Sequence, residues 1–178
     1  MKYQSIFWLD DNPGFLVNLE RAAVSSKINL DLKELLKRVT FAFDFQDGKR
    51  LTQNGYDLYI LGANFPQVIN PQQKAENTNF LEQVAQGRII KAPSEPETYI
   101  ENHFVNFYLD CLGTGSNVVI FSRSRSAIGK SFDLYLPFYS KDLTIGQVEK
   151  HLEEQKSIPQ IKDWEHGDLK DFIKRYLI

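Results

Sequence analysis

Two adjacent carboxylates, Asp10 and Asp11, close an apolar run in IFWLDDNPG, Ile6 to Gly14. Such a pair could draw a divalent cation and support metal-dependent chemistry on a phosphate ester. Mg2+ keeps several waters when protein ligands are few, so two carboxylates lacking a third should fill only at millimolar metal, if at all. The same residues have a plainer reading: strand-end polarity, with negative charge near a helix N-terminus. Arg123 and Arg125, in SRSRS from Ser122 to Ser126, fall on a loop expected close to the acids and could neutralise them. A solvated polar loop is the equal alternative.

Other chemistries find little support. His103, His151 and His166 lack metal-ligand spacing, and none joins Cys111 in a nucleophile motif. GTGSN, Gly113 to Asn117, contains Gly-x-Gly, but it follows a helix pattern and precedes a strand pattern, the reverse of a phosphate-cradling loop. One cysteine excludes an internal disulfide and fits a reducing compartment. A net charge of -2, from 21 basic and 23 acidic residues, gives no field favouring nucleic acid or an anionic membrane. No apolar stretch approaches membrane-spanning length and no leader pattern is present, so the expected location is cytoplasmic.

The elements that must position these residues follow from periodicity. Ser5 to Leu9 reads as a strand, and Asn12-Pro13 as an N-cap and first helical residue before a stripe of Phe15, Leu16, Leu19, Ala22 and Ala23. A short helix within Ile28 to Arg38 and a strand at Val39 to Phe43 come next, then a helix over Asp44 to Asn54 ended by Gly55, and a strand at Leu58 to Leu61. From Gln67 to about Pro96 the chain turns polar, with only a short helix, Phe80 to Gln86, expected. A helical stripe from Tyr99 to Cys111 precedes the strand NVVIF, Asn117 to Phe121. FDLYLPF reads as a further strand, followed by a helix marked by Ile145, Val148 and Leu152. Leu169, Phe172, Ile173, Tyr176 and Leu177 share one face of a last helix.

Alternating helices with near-continuous apolar strands predict a doubly wound parallel α/β sheet in one main domain. With 178 residues, 42% of them hydrophobic, one sizeable core is affordable in length. In such folds functional groups gather at the carboxyl ends of the strands, where strand order reverses. That rule selects Asp10, Asp11, Gly62, Ser122 and the segment around Pro137.

At those positions the sequence resembles the receiver domain of two-component response regulators, across roughly residues 2–155. IFWLDDNP is similar to the family's first strand with its acidic pair, and YDLYILGANFP to its third strand, turn and proline. VVIFS is similar to a fourth strand ending in a hydroxyl residue, and FDLYLPF to a fifth strand with its Pro-Phe pair. The resemblance implies a flavodoxin-like sheet of five parallel strands, with an extended connection between the third and fourth. It implies that Asp10 and Asp11 hold Mg2+ and that Ser122 contacts a phosphoryl group. Gly62 stands where the family keeps its phospho-accepting aspartate, and Leu136 stands where it keeps a lysine before Pro137. A glycine supplies no nucleophile. The expected protein is therefore a degenerate receiver, residues 1–155, with a helical extension, residues 156–178. It would act in bacterial signalling through protein partners, without phosphorylation, cofactor, nucleic acid or membrane, and with at most weak Mg2+. The alternatives are a metal-dependent phosphate-ester hydrolase or a small-ligand binder at the Asp10/Asp11 crevice. The last helix presents an apolar face that needs cover, by this domain, a second copy or a partner.

Overall fold

The computed structural model describes residues 2–62, 65–88, 91–96, 107, 110–111, 113–121, 160–161 and 168–178. Four strands, β1 (Ile6–Leu9), β2 (Val39–Ala42), β3 (Leu58–Leu61) and β4 (Asn117–Phe121), pair in parallel in the order β2-β1-β3-β4. Their near-continuous apolar sequences reflect cover on both faces: every residue of β1 and β3 is buried. Gln160–Ile161 pair in parallel with Ile120 and Phe121 on the outer side of β4. FDLYLPF and the helix expected around Ile145 to Leu152 lie outside the described residues.

Alternation along the strands divides the core into two layers. On one face, Trp8 meets Phe15 at 4.6 Å, Phe121 at 5.4 Å and Phe172 at 5.8 Å between ring centroids. On the other, Phe7 meets Tyr59 at 5.7 Å and Phe107 at 5.8 Å. Phe107 also packs on Phe45, and a β-carbon on Gly48 would lie 2.9 Å from its ring, so glycine there lets the helix carrying Gly48 approach closely.

Helix α1 (Phe15–Ser25) buries Phe15, Leu16, Leu19 and Ala23, four of the five stripe positions expected. It begins later than Asn12-Pro13 suggests. The Asn12 side-chain oxygen accepts the Gly14 N–H at 2.8 Å, and Gly14 takes the cap position without a capping side chain. Helix α2 spans only Leu32–Leu36, with Asp31 accepting the Glu34 N–H. Helix α3 (Phe45–Leu51) continues as a 3-10 turn, Thr52–Asn54, and ends at Gly55, whose φ of 72° suits the residue expected to stop it.

Two expectations are corrected here. The polar stretch after β3 holds a long helix, α4 (Pro71–Ala85), rather than a short one at Phe80 to Gln86. Asn70 caps it through the Gln72 N–H, Pro71 opens it, and Asn77, Phe80 and Val84 are its buried residues. The second correction concerns the last helix. Helix α5 (Asp168–Phe172) widens into a π-helical turn, Ile173–Leu177. Leu169, Phe172, Ile173, Tyr176 and Leu177, which offered a possible interface as well as a face for this domain to cover, are at most 7% exposed and belong to the same core cluster as Trp8 and Phe121. Phe172 stacks on Phe121 at 4.6 Å, and Arg38 Nη2 donates to the Leu177 carbonyl at 2.9 Å. The stripe is thus covered by the chain itself. No helix among the described residues is long and apolar enough to cross a membrane.

Candidate functional site

The register fixes which residues leave the sheet together. Leu9 is level with Ala42 on one side and Leu61 on the other, so Asp10 and Gly62 emerge side by side from β1 and β3. Strand order reverses at β1, which makes this the crevice where α/β sheets place ligands. The Gly62 N–H donates to the Leu9 carbonyl at 2.7 Å. A β-carbon on Gly62 would lie 3.1 Å from that carbonyl and 3.2 Å from Asp10 Oδ2. Glycine therefore serves close approach: the space a side chain would need is bounded by the β1 backbone and by the Asp10 carboxylate.

The acidic pair is built into the turn that follows. Asp10 Oδ1 accepts the Asn12 N–H at 3.0 Å, and the Asp11 carbonyl accepts Asn77 Nδ2 at 2.7 Å. Asn77 is fully buried and also accepts Gln73 Nε2 through Oδ1. Its amide thereby ties the turn after β1 to α4. Asp57 lies at the opposite end of the sheet: its Oδ2 accepts the N–H groups of Gln4 and Ser5, both at 3.0 Å, before β1 begins.

Asp44, which the sequence reading placed only as a helix start, has a larger part. It is 2% exposed, accepts the Asp47 N–H at the start of α3 at 2.7 Å, and accepts the Ile69 N–H at 2.9 Å. Phe45 and Gln46 donate their backbone N–H groups to the carbonyls of Pro66 and Gln67. One buried carboxylate thus caps α3 and holds the chain leaving β3 in position to enter α4. The signal was present as Asp before a helix with Asp47 three residues on. Asp47 in turn pairs with Lys74 of α4 and with Arg50 at 3.1 Å. The Lys74 hydrogen bond is the main cause holding the Asp47 carboxyl below its ordinary pKa.

A Mg2+ site of the expected kind needs a third donor beside Asp10 and Asp11. Gly62 has no side chain, and both Asp44 oxygens are engaged by backbone N–H groups. No group of three or more His, Cys, Asp or Glu able to hold a metal occurs among the described residues. The described residues do not fit such a site. Cys111 is buried, and burial pushes its thiol pKa well up, which suppresses the thiolate. Ser122, Arg123 and Arg125 lie outside the described residues, as do His103, His151 and His166. β4 places Ile120 level with Leu61, so the described chain stops one residue before Ser122 on the strand beside Gly62.

Neither a protein-family model nor a curated protein matches the sequence. Among solved structures the chain is similar to a de novo designed Rossmann 2x3 fold protein determined by solution NMR, with 12% identity, a TM-score of 0.38, and 98% of this chain and 89% of that chain covered.

Proposed function

We propose that the chain is a receiver-like regulatory module on a flavodoxin-like sheet that acts by binding protein partners rather than by phosphotransfer. The strand order β2-β1-β3-β4, with the Gln160–Ile161 pairing beyond β4, supports the flavodoxin-like part of this reading. One observation carries the functional part: Gly62 occupies the end of β3 beside Asp10, at the crevice where a phosphorylated receiver needs its nucleophilic carboxylate. The resemblance to receivers adds the setting, a signalling pathway of the bacterial two-component type. Output through contact with another protein belongs to the same proposal.

The test is incubation with acetyl phosphate and Mg2+ followed by intact-mass measurement, with partner capture from native extract using the parent and a Gly62→Asp variant. The expected result is no stoichiometric phosphoryl adduct on the parent, together with a partner retained in the absence of phosphodonor. A parent that gains one acid-labile phosphoryl group, or a partner captured only after phosphodonor treatment, overturns the proposal.

A further inference from the structure

The connection from β3 to β4 is anchored unequally. Its helix, α4, is held from inside by the buried residues Asn77, Phe80 and Val84. Residues 91–96 then cross back over the turn between β1 and α1. Of these, Lys91, Ala92, Ser94 and Glu95 are exposed, while Pro93 and Pro96 are half-buried.

Three hydrogen bonds of this crossing meet at Ser94. Its carbonyl accepts Asn12 Nδ2 at 3.0 Å and Gln73 Nε2 at 3.1 Å, and its N–H donates to Glu76 Oε2 at 3.3 Å. A hydrogen bond from the Ser94 hydroxyl is the largest cause holding the Glu76 carboxyl below its ordinary pKa. Beside Ser94, Ala92 and Pro93 rest where Gly14 lacks a side chain: a β-carbon there would lie 3.1 Å from Ala92 Cβ and 3.5 Å from Pro93 Cδ. Asn12, which grips Ser94 from below, donates its own N–H to Asp10 Oδ1.

We propose that residues 91–96 form a strap that opens and closes over the β1–α1 turn, latched through Ser94 to Gln73 and Glu76 of α4 and to Asn12. The asymmetry of anchoring supports this. Solvent-exposed hydrogen bonds exchange for water at little net cost, whereas separating α4 from the sheet would expose apolar side chains and the buried Asn77 amide. The strap opens without α4. Opening bares Asn12 and Gly14 and removes the Ser94 carbonyl from Asn12, whose N–H positions the Asp10 carboxylate beside Gly62. The order of the β1–α1 turn, which includes the Asn12 N–H donated to Asp10 Oδ1, is thereby linked to Ser94. This inference concerns the chain's own motion and stands whether or not the crevice belongs to a signalling module.

Amide hydrogen exchange read residue by residue tests it, on the parent, Glu76→Ala and Ser94→Glu. Alanine preserves the helix at position 76, while glutamate at position 94 sets a second carboxylate against Glu76. In the parent, the Ser94 amide should exchange more slowly than unstructured chain and faster than the amides of β1 and β3. Both variants should speed the amides of Ser94, Asn12 and Gly14 about tenfold, as expected for the loss of one or two exposed hydrogen bonds, with α4 and sheet protection unchanged. A Ser94 amide that exchanges at the unstructured rate in the parent means that there is no closed strap. Strap exchange unaltered in both variants removes the latch. An equal rise across α4 and the sheet means that the segment opens only with the core. Each of these results overturns the proposal.

Discussion

Gly62 and Asp10 confront each other across the β1–β3 pair: a β-carbon on residue 62 would stand 3.2 Å from Asp10 Oδ2 and 3.1 Å from the Leu9 carbonyl. The Leu9 carbonyl is fixed by the strand ladder and by its hydrogen bond from the Gly62 N–H, so it cannot retreat without loosening the end of β1. Gly62→Ala should therefore destabilise the protein by about 1–3 kcal/mol, the range for overpacking a filled site. Gly62→Asp should cost more, because it adds a like charge beside Asp10. Converting Asp10 to Asn in the Gly62→Asp background should restore part of the loss, as Asn still offers an oxygen to the Asn12 N–H. Urea melts of the four proteins check this, and a Gly62→Asp variant as stable as the parent would refute the crowding.

Phe172 and Ile173 give the sharpest test of where the last helix belongs. Phe172 is 2% exposed, stacked on Phe121 and close to Trp8, and Ile173 is fully buried. Phe172→Ala should cost about 3–5 kcal/mol and alter tryptophan fluorescence. Phe172→Asp with Ile173→Asp should abolish cooperative folding. A doubly substituted chain that stays folded by circular dichroism and sediments at reduced mass would instead return this helix to an interface.

Asp44 joins two elements through one carboxylate. Replacement by Ala leaves the Asp47 N–H without its cap and the Ile69 N–H buried without a partner, for a loss of about 2 kcal/mol or more. Asn keeps one acceptor oxygen and should fall between. Thermal melts should rank the parent above Asp44→Asn, and that variant above Asp44→Ala. An Asp44→Asn variant as stable as the parent would mean that a single oxygen does the holding.

Acid should weaken the tie between α3 and α4. Lys74 and Arg50 hold the Asp47 carboxyl below its ordinary value, so Asp47 binds a proton more readily in the unfolded chain than in the folded one. Its contribution is full above the ordinary aspartate value of about 3.9 and is lost as pH falls through the lowered folded value. Lys74→Met should flatten that part of the stability–pH curve and leave neutral-pH stability within about 1 kcal/mol, as expected for a largely exposed pair. Denaturant melts at a series of acid pH values provide the comparison.

What the sequence determined by itself was everything carried by a local pattern. IFWL, LYIL and NVVIF are strands because continuous apolar runs of four or five residues fit only a sheet covered on both faces, and all three have the extent or nearly the extent expected. From these runs the parallel α/β class and the carboxyl-end location of Asp10, Asp11 and Gly62 follow. Tertiary structure decided the rest. NPQQKAENTN is a helix because Phe80 and Val84 join the α1–α2 core cluster and the Asn77 amide finds the Asp11 carbonyl, partners 66 residues apart in the case of the amide. The apolar stripe from Leu169 to Leu177 states that a face must be covered, and only the fold shows that Trp8 and Phe121 cover it. The same holds for residues 91–96, whose composition reads as loop while their hydrogen bonds lie with Asn12, Gln73 and Glu76. Periodicity encodes that a surface needs burial or a polar group needs a partner. Which surface and which partner meet is a long-range choice, made where the whole core finds its lowest free energy.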